Sequence, residues 1–314
     1  MSEVIVVGGG AAGMMAAIAA ADCGHQVTII EKNEKLGKKL FITGKGRCNI
    51  TNDSDVENHL NHVISNPKFM YSAFYSFDSS RMIDFLEQEG LAVKTERGNR
   101  VFPQSDKSSD VLQTLQKALR RRNVTVRLHT KMTGLMIEDH ICKGVKVQSY
   151  HGALETLAAD DVILTTGGLA YPSTGSTGDG HRLLKQAGVA LEPCYPALVP
   201  VETVEEWPIR LQGLSLRNVS LRVERGSHKI YEEQGEMLFT QFGVSGPLVL
   251  SASSLLGRKG AKDCKLHIDL KPALSEEQLD ERLQRDFAAQ KNSMFKNSLG
   301  KLLPSKLIPV IVEL

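Results

Sequence analysis

The amino-terminal part of the chain alternates apolar runs with a stretch of small residues. Val4–Val7 is a continuous apolar run, which is typical of a parallel strand buried on both faces. An alanine-rich segment, Ala11–Cys23, predicts a helix that ends at Gly24, since glycine readily adopts the left-handed conformation that closes helices. A second apolar run, Val27–Ile30, completes a strand–helix–strand unit. The pattern therefore predicts an α/β fold that opens with a parallel βαβ unit.

The same alternation of helices and strands continues through the first part of the chain. An amphipathic helix is predicted to begin near Ser108, and a strand follows over Val124–His129. Asp161–Gly168 is a further predicted strand that ends in threonine and glycine, and a helix follows over His181–Gln186. We therefore predict a Rossmann-like domain with a mostly parallel sheet over residues 1–192.

The pattern changes after this first domain, where several prolines interrupt the chain. Apolar and polar residues alternate in Ser215–Arg225, and Gly226-Ser227 follows as a predicted hairpin turn. Glu236–Ser251 and Cys264–Pro272 predict additional strands. Because such alternation is typical of sheets with one buried face, we predict an inserted antiparallel β domain over residues 193–274.

The remaining residues predict a small helical unit over residues 275–314. Ser275 and Gln278 have the spacing of a capping box, in which each side chain hydrogen-bonds the backbone amide of the other residue. Apolar residues then recur every four positions in Leu279–Phe287, as on the buried face of a helix.

Three glycines after the first strand have the spacing of a dinucleotide-binding fingerprint. Gly8 allows a tight turn, Gly10 lets the backbone approach a pyrophosphate, and Gly13 lets the helix pack closely on the strand. The amino end of the helix would then direct unpaired N–H groups towards the phosphates. Glu31, at the carboxyl end of the second strand, is placed to accept both hydroxyls of an adenosine ribose. The order of these parts predicts a dinucleotide site rather than a structural glycine turn.

A second polar, glycine-rich segment follows the predicted ribose acid. Lys32–Asn52 contains paired lysines, the turn Thr43–Gly46 and then Arg47-Cys48-Asn49. A solvated basic loop would explain the lysines but not the glycines. Two successive segments of this kind suit a cofactor longer than a nicotinamide dinucleotide. The sequence therefore favours FAD, and a nicotinamide-only dehydrogenase is the alternative.

Five segments spread over the chain resemble the HI0933-like (BaiN/YhiN) flavoproteins, which are NAD(P)/FAD-dependent oxidoreductases of the aminoacetone oxidase family. The segments are GGGAAG, KLGKKLFITGKGRCNITN, NRVFPQSDKSSDVLQTL, TTGGLAYPSTGSTGDGHRLLKQAG and GEMLFTQFGVSGPLVL. Lys45 stands where the family commonly has glycine, and Gln241 stands where it commonly has histidine. The resemblance also implies a segment that returns to the first domain and packs over the flavin, and we expect this chain to end before it.

The resemblance implies where FAD would bind. The glycine turn and the ribose acid would hold the adenosine diphosphate half, and the paired lysines would lie along the pyrophosphate and ribityl groups. Cys48 and Asn49 would lie nearer the flavin, and the backbone of Met132 would contact the adenine. The implied contacts are Gly8, Gly10, Ala11, Ala12, Gly13, Glu31, Lys32, Lys38, Lys39, Gly46, Arg47, Cys48, Asn49, Met132, Thr166 and Gly167.

Two features distinguish the chain from flavin disulfide reductases. Cys48 has no second cysteine nearby in sequence, so a buried packing role is predicted for it rather than a catalytic disulfide. The turn Gly167–Gly180 has its glycines in the wrong order for a second nucleotide fingerprint, and Asp179 is predicted as a helix N-cap. NAD(P)H would therefore act as a transient co-substrate, or dioxygen would reoxidise the flavin.

The resemblance implies an activity but not a catalytic side chain. It implies hydride transfer between flavin N5 and a small organic substrate, as reduction of a conjugated enone or oxidation of a small amine. No side chain stands out as catalytic, and no His/Cys cluster has the spacing of a metal site. A truncated flavin-binding protein without turnover is the alternative.

Composition narrows the range of partners. The 38 basic and 36 acidic residues leave a net charge of +2, so neither nucleic acid nor an anionic membrane is expected as a partner. The apolar stretches are too short to span a bilayer, and the amino terminus lacks the pattern of a signal peptide. Five scattered cysteines are typical of reduced thiols. We therefore expect a cytoplasmic protein that acts on a small-molecule substrate.

Overall fold

A computed structural model describes residues 1–290 and 294–314. The described residues divide into two compact units, Met1–Glu192 and Pro193–Leu314. The three-part division inferred from the sequence stays a prediction, with its second and third parts both inside the second unit.

The first unit contains ten strands and seven α-helices among the described residues. Its strands are β1 (Glu3–Val7), β2 (Gln26–Ile30), β3 (Thr51–Asn52), β4 (Val93–Glu96), β5 (Arg100–Pro103), β6 (Thr125–Arg127), β7 (Thr130–Glu138), β8 (Ile141–Ser149), β9 (Leu154–Ala158) and β10 (Asp161–Leu164). Its helices are α1 (Ala11–Asp22), α2 (Lys38–Ile42), α3 (Val56–Asn61), α4 (Tyr71–Ser76), α5 (Ser79–Gln88), α6 (Ser108–Arg121) and α7 (Asp179–Gln186).

A four-stranded parallel sheet in the order β10-β1-β2-β6 forms the centre of the first unit. Strand β1, in the interior of this sheet, is apolar and buried on both faces after Glu3 because helices and a further sheet cover it. Val6 and Ile29 belong to one buried cluster with α1 and α6, while Ile5 and Ile30 belong to another on the opposite face. The predicted α/β fold class with its parallel sheet is confirmed.

Helix α1 lies close to strand β1 because of a glycine. A methyl group on Gly13 would lie 1.8 Å from the carbonyl oxygen of Gly8 and 2.7 Å from Thr165 Oγ1. The helix ends one residue earlier than predicted, with Cys23 as its C-cap and Gly24 in the left-handed conformation. Helix α1 therefore approaches the backbone of Gly8 so closely at Gly13 that no larger residue fits at this position.

Two antiparallel sheets complete the first unit. They have the orders β3-β5-β4 and β7-β8-β9. The strand predicted over Val124–His129 is shorter than expected, because the backbone of His129 takes the left-handed conformation and the chain turns into β7. Met132 therefore lies within β7, where its side chain is buried.

The second unit contains a five-stranded antiparallel sheet in the order β11-β14-β13-β12-β15, followed by helices. Its strands are β11 (Val201–Glu202), β12 (Ser215–Arg225), β13 (His228–Thr240), β14 (Gly243–Ser245) and β15 (Cys264–Asp269). Its helices in the described residues are α8 (Trp207–Arg210), α9 (Pro247–Leu255), α10 (Glu276–Ala288), α11 (Phe295–Ser298) and α12 (Ile308–Glu313).

Most of the local predictions for this unit are confirmed. Gly226-Ser227 connects β12 to β13, and the apolar residues of β12 at Val219, Leu221 and Val223 are buried. Both hydrogen bonds of the Ser275 capping box are present at the start of α10. The prediction of strands throughout Glu236–Ser251 is wrong for its last part, where α9 begins at Pro247. Gly246 and Pro247 favour this change, since proline is well suited to the first turn of a helix.

The close approach of α1 to β1 makes a testable prediction. Gly13→Ala should lower the free energy of unfolding by about 2 kcal/mol or more, because the added methyl group overlaps a backbone carbonyl that cannot move freely. Urea denaturation followed by circular dichroism measures this change.

Gly10→Ala is the matched control within the same turn. No atom lies within 4 Å of a methyl group added there, and the backbone is extended. We expect a loss of no more than about 1 kcal/mol, the typical cost of placing alanine at an N-cap, since no side-chain cap is lost and no atom is overlapped. Equal losses in the two variants would contradict the packing role assigned to Gly13.

Candidate functional site

A cavity of about 630 Å³ lies at the carboxyl edge of the parallel sheet. Parallel strands end on the same side, so the residues that follow β1, β2 and β10 meet there. Gly8, Glu31 and Thr165 take these three positions, and all three line the cavity. Its volume is within the range of small-molecule and cofactor sites.

Most of the cofactor contacts inferred from the sequence lie together in this cavity. The inferred residues that line it are Gly8, Gly10, Ala11, Ala12, Glu31, Lys32, Lys38, Lys39, Met132, Thr166 and Gly167. Five others, Gly13, Gly46, Arg47, Cys48 and Asn49, are absent from its lining.

The amino end of α1 presents unpaired backbone amides to the cavity. The first hydrogen bond of the helix runs from Met14 N to the carbonyl of Gly10, so the amides of the residues between them have no intrahelical acceptor. No side chain caps this end, and no acidic residue lies in the first turn. Gly10 itself leaves open space where a side chain would be. These features are those of a phosphate-binding helix terminus.

Glu31 is a buried carboxylate that serves the fold as well as the cavity. Its Oε2 accepts a hydrogen bond from Gly9 N at 2.7 Å. Its Oε1 accepts two hydrogen bonds from Asn33, from the backbone N at 2.8 Å and from Nδ2 at 2.7 Å. A carboxylate has about four lone-pair sites, so these bonds leave about one, on Oε2. The prediction that Glu31 accepts both ribose hydroxyls therefore requires the loss of a bond to Asn33.

Lys32 forms an ion pair with Asp179, the first residue of α7. Its Nζ lies 2.7 Å from Asp179 Oδ2 and 2.7 Å from Thr177 Oγ1. The Lys32 ammonium lowers the pKa of the Asp179 carboxyl to about 2, with a further contribution from the Thr177 hydroxyl. The prediction that Asp179 caps α7 is wrong: Gly178 is the N-cap in the left-handed conformation, and Asp179 instead binds Lys32.

Two more side chains connect the segment after β2 with the segment before α7. Lys39 Nζ donates to Ser176 Oγ at 2.7 Å, and Asn33 Nδ2 donates to the carbonyl of Thr174 at 3.2 Å. Residues 169–178, which we call the strap, therefore lie beside the lysines that were expected to bind phosphate. Lys38 instead reaches Glu34, 3.3 Å away.

The residues that follow β10 close the floor of the cavity. The Thr165 hydroxyl lies 2.9 Å from the carbonyl oxygens of both Val7 and Gly8, which share its one proton. Gly167 has a positive φ of 73°, and a methyl group there would lie 2.4 Å from Ser176 Oγ. The two ends of the glycine-rich turn are therefore packed against each other.

The remaining inferred residues contribute to packing near the cavity. The Arg47 guanidinium contacts Glu96 and Asp106, and it lies 4.1 Å from the centre of the Phe102 ring. Lys94 joins the same cluster at 2.6 Å from Asp106, and it is the main cause of the lowered pKa of that carboxyl. Arg47 is therefore held in an ion-pair network of the first unit. Gly46 has a positive φ of 87° in the preceding turn, and Asn49 lies next to β5.

Cys48 is packed in the core, as predicted. Its side chain is 1% exposed and belongs to the cluster that contains Val6 and Ile29. Burial raises the pKa of its thiol, so the reactive thiolate is disfavoured. None of the cysteines in the described residues forms a disulfide.

Several residues that line the cavity were not inferred from the sequence. The polar ones include Asn33, Thr130, Lys131, Thr165, Ser176 and Asp179. Thr165 could have been found by its position directly after a buried strand. No sequence fingerprint marks Asn33 or Ser176 as site residues, and their contacts with Thr174 and Lys39 join segments far apart in the chain.

The described residues give two findings on other kinds of site. Among residues 1–290 and 294–314, no group of three or more His, Cys, Asp or Glu side chains could hold a metal ion. In the same ranges, every helix is too short or too polar to cross a bilayer.

The Lys32–Asp179 pair predicts a dependence of stability on pH. The folded-state pKa of Asp179 is about 2, below its ordinary value of 3.8, so the stabilisation is present above pH 4 and is lost as pH falls towards 2. Asp179→Asn should lower the free energy of unfolding by about 1 kcal/mol at pH 6, after allowance for solvent screening. The difference from wild type should vanish near pH 2.

Urea titrations between pH 2 and 6 provide the measurement. Glu155→Gln removes an ion pair with Arg127 at a more exposed site and serves as the control, with an expected loss of a few tenths of a kcal/mol. An Asp179→Asn deficit that stays constant down to pH 2 would contradict the assignment.

Comparison with known proteins identifies relatives over the whole chain. Residues 2–257 match the family described as the HI0933-like protein Rossmann domain. The 3-dehydro-bile acid Δ(4,6)-reductase of Clostridium scindens is 31% identical over 318 residues, which cover 100% of this chain and 75% of that protein. The ribosomal RNA dihydrouridine synthase of Escherichia coli is 29% identical and covers 99% of this chain and 74% of its own length.

A solved structure supports the same fold. The open conformation of a flavocytochrome c3 fumarate reductase superposes with a TM-score of 0.51 at 22% identity, covering 69% of this chain and 47% of that one. The resemblance inferred from the sequence motifs is therefore confirmed. The chain belongs to the HI0933-like family of FAD-binding, flavin-dependent oxidoreductases.

Proposed function

We propose that the chain binds FAD in the cavity at the carboxyl edge of the parallel sheet. The unpaired amides at the start of α1 and the open space at Gly10 suit a diphosphate. Lys39 lies close enough to contribute a positive charge, and Glu31 has one acceptor site on Oε2 for a ribose hydroxyl. The single observation that carries the proposal is this meeting of helix amides, lysine and buried acid in one cavity.

The proposed division into domains is the one predicted from the sequence. Residues 1–192 form the FAD-binding domain, residues 193–274 an inserted β domain, and residues 275–314 a helical unit. Met132, Thr166 and Gly167 contribute to the cofactor site together with the glycine turn, the ribose acid and the lysines. Gly46, Arg47, Cys48 and Asn49 support the flavin end from outside the cavity lining.

The proposed reaction is reduction of a carbon–carbon double bond conjugated to a carbonyl group. Bound FAD supplies hydride transfer at its N5 atom. One relative is named as a 3-dehydro-bile acid Δ(4,6)-reductase and another as a ribosomal RNA dihydrouridine synthase, and both names are compatible with this reaction. We favour a small-molecule enone, because the near-balanced charge of this chain offers no excess of cations for a polyanion. NAD(P)H is the proposed electron donor.

The proposal makes a spectroscopic prediction. Protein purified with added FAD should be yellow, and anaerobic NADPH or NADH should bleach the visible flavin band within the time of a turnover assay. A yellow protein that neither nicotinamide bleaches but a small amine does would support amine oxidation with dioxygen as acceptor. A colourless protein that does not take up FAD would overturn the proposal.

Substrate class is tested by reoxidation of the reduced protein. After anaerobic photoreduction, an α,β-unsaturated ketosteroid should restore the flavin band faster than buffer alone. Uridine-containing ribosomal RNA added in its place is the comparison. If the RNA reoxidises the flavin faster than the ketosteroid does, the substrate class is RNA and the small-molecule enone is wrong. If neither compound reoxidises the flavin faster than buffer, the proposed reaction is overturned.

Glu31→Gln should weaken FAD binding about 10- to 100-fold, since it removes a charge-assisted hydrogen bond worth about 1.5–3 kcal/mol. Glutamine is preferable to alanine here. Glu31→Ala would leave the Gly9 amide and Asn33 without their acceptor. Fluorescence titration with FAD measures the affinity, and an unchanged value would remove Glu31 from the site.

A further inference from the structure

Asn33 contacts the buried acid of the cavity through two separate donors. Both its backbone N and its Nδ2 donate to Glu31 Oε1, at 2.8 and 2.7 Å. The two residues are only two positions apart, so the contact forms within a single turn of the chain after β2. Oε1 therefore has both of its lone pairs engaged.

The same amide also contacts the strap. Asn33 Nδ2 donates to the carbonyl of Thr174, and a methyl group on Gly175 would lie 2.7 Å from Nδ2. The backbone hydrogen bonds described for residues 169–178 all stay within positions 168–182, so they connect the strap only to itself, to Gly168 and to the start of α7. The strap is therefore held against the segment after β2 by side chains, and Asn33 is one of them.

The other oxygen of the acid has a different environment. Glu31 Oε2 accepts one hydrogen bond, from Gly9 N, and the residue lines the cavity. With Oε1 filled, Oε2 is the oxygen with an acceptor site left for a ligand. The carboxylate thus offers the cavity one hydrogen-bond acceptor in a fixed direction.

We propose that Asn33 is a positioning and specificity-determining residue for the nucleotide ribose. Asn33 occupies both acceptor sites of Glu31 Oε1, and its side chain is itself held by the carbonyl of Thr174. Glu31 then recognises only one of the two ribose hydroxyls, through Oε2. This inference rests on the proposed nucleotide site. It differs from recognition of both hydroxyls by a free carboxylate, and the two arrangements predict different binding of deoxy analogues.

The test uses ADP, 2′-deoxy-ADP and 3′-deoxy-ADP as probes, with affinities measured by calorimetry on the full chain. In the wild-type protein, one deoxy analogue should bind about tenfold more weakly than ADP, while the other should bind within about twofold. Equal losses for both analogues would overturn the proposal, because they would show that both hydroxyls are bound. A wild-type protein that binds neither ADP nor FAD would overturn the proposed function as well.

Variants then test whether Asn33 causes the difference in affinity between the two deoxy analogues. In Asn33→Ala the backbone N of residue 33 still donates to Glu31 Oε1, but the loss of Nδ2 frees one acceptor site on that oxygen. The second ribose hydroxyl can then bind there, so the ratio between the two deoxy affinities should fall to near one. In Glu31→Gln the ratio should already be near one, and adding Asn33→Ala should change it no further. A role of Asn33 in general stability would lower all three affinities together and keep the ratio, which would overturn the proposal.

Two further variants separate the role of the Asn33 side chain from misfolding and from a general disturbance of the strap. Asn33→Asp keeps the shape of the side chain but replaces the donor with an acceptor facing Glu31, so it should also abolish the ratio, whether or not Asn33→Ala folds. Thr177→Val is the matched control, since it removes a strap hydroxyl that binds Lys32 and leaves the Glu31 contacts intact. It should keep the wild-type ratio, and a loss of discrimination there would contradict the role given to Asn33.

Discussion

The carboxylate of Glu31 joins the ends of the two strands on which the cavity is built. Its bond to Gly9 N holds the glycine turn after β1, and its bonds to Asn33 hold the segment after β2. A buried charge is tolerated only where hydrogen bonds replace its hydration, and here three donors do so. Because the same side chain lines the cavity, the fold and the site depend on one set of contacts.

Charge in the cavity is partly balanced before any ligand binds. Asp179 faces Lys32, so that pair adds little net field. Lys39 meets a neutral hydroxyl at Ser176 rather than an acid. Under the proposed function, the amides of α1 and the Lys39 ammonium would together attract the diphosphate.

The parts of the site that the sequence predicted are those that local spacing determines. The turn at Gly8, the close packing at Gly13 and the acid after β2 all lie within one βαβ unit, where strand and helix periods define position. Ser176 escaped prediction because its contact with Lys39 joins segments more than a hundred residues apart. Asn33 lies only two residues from Glu31, but no sequence fingerprint marks that contact, and its contact with Thr174 is again long-range. Asp179 was mistaken for a cap for the same reason: its partner, Lys32, is 147 residues away.

Cys48 has a consequence for the durability of the protein. Flavins that react with dioxygen generate peroxide, which oxidises thiols through their thiolate form. The Cys48 thiol is enclosed in the same apolar cluster as β1 and β2, and its raised pKa keeps it protonated. Oxidation to a bulky, polar sulfinate there would disrupt the sheet that carries the cavity. Enclosure therefore protects the framework from the peroxide that a reduced flavin would release on contact with dioxygen.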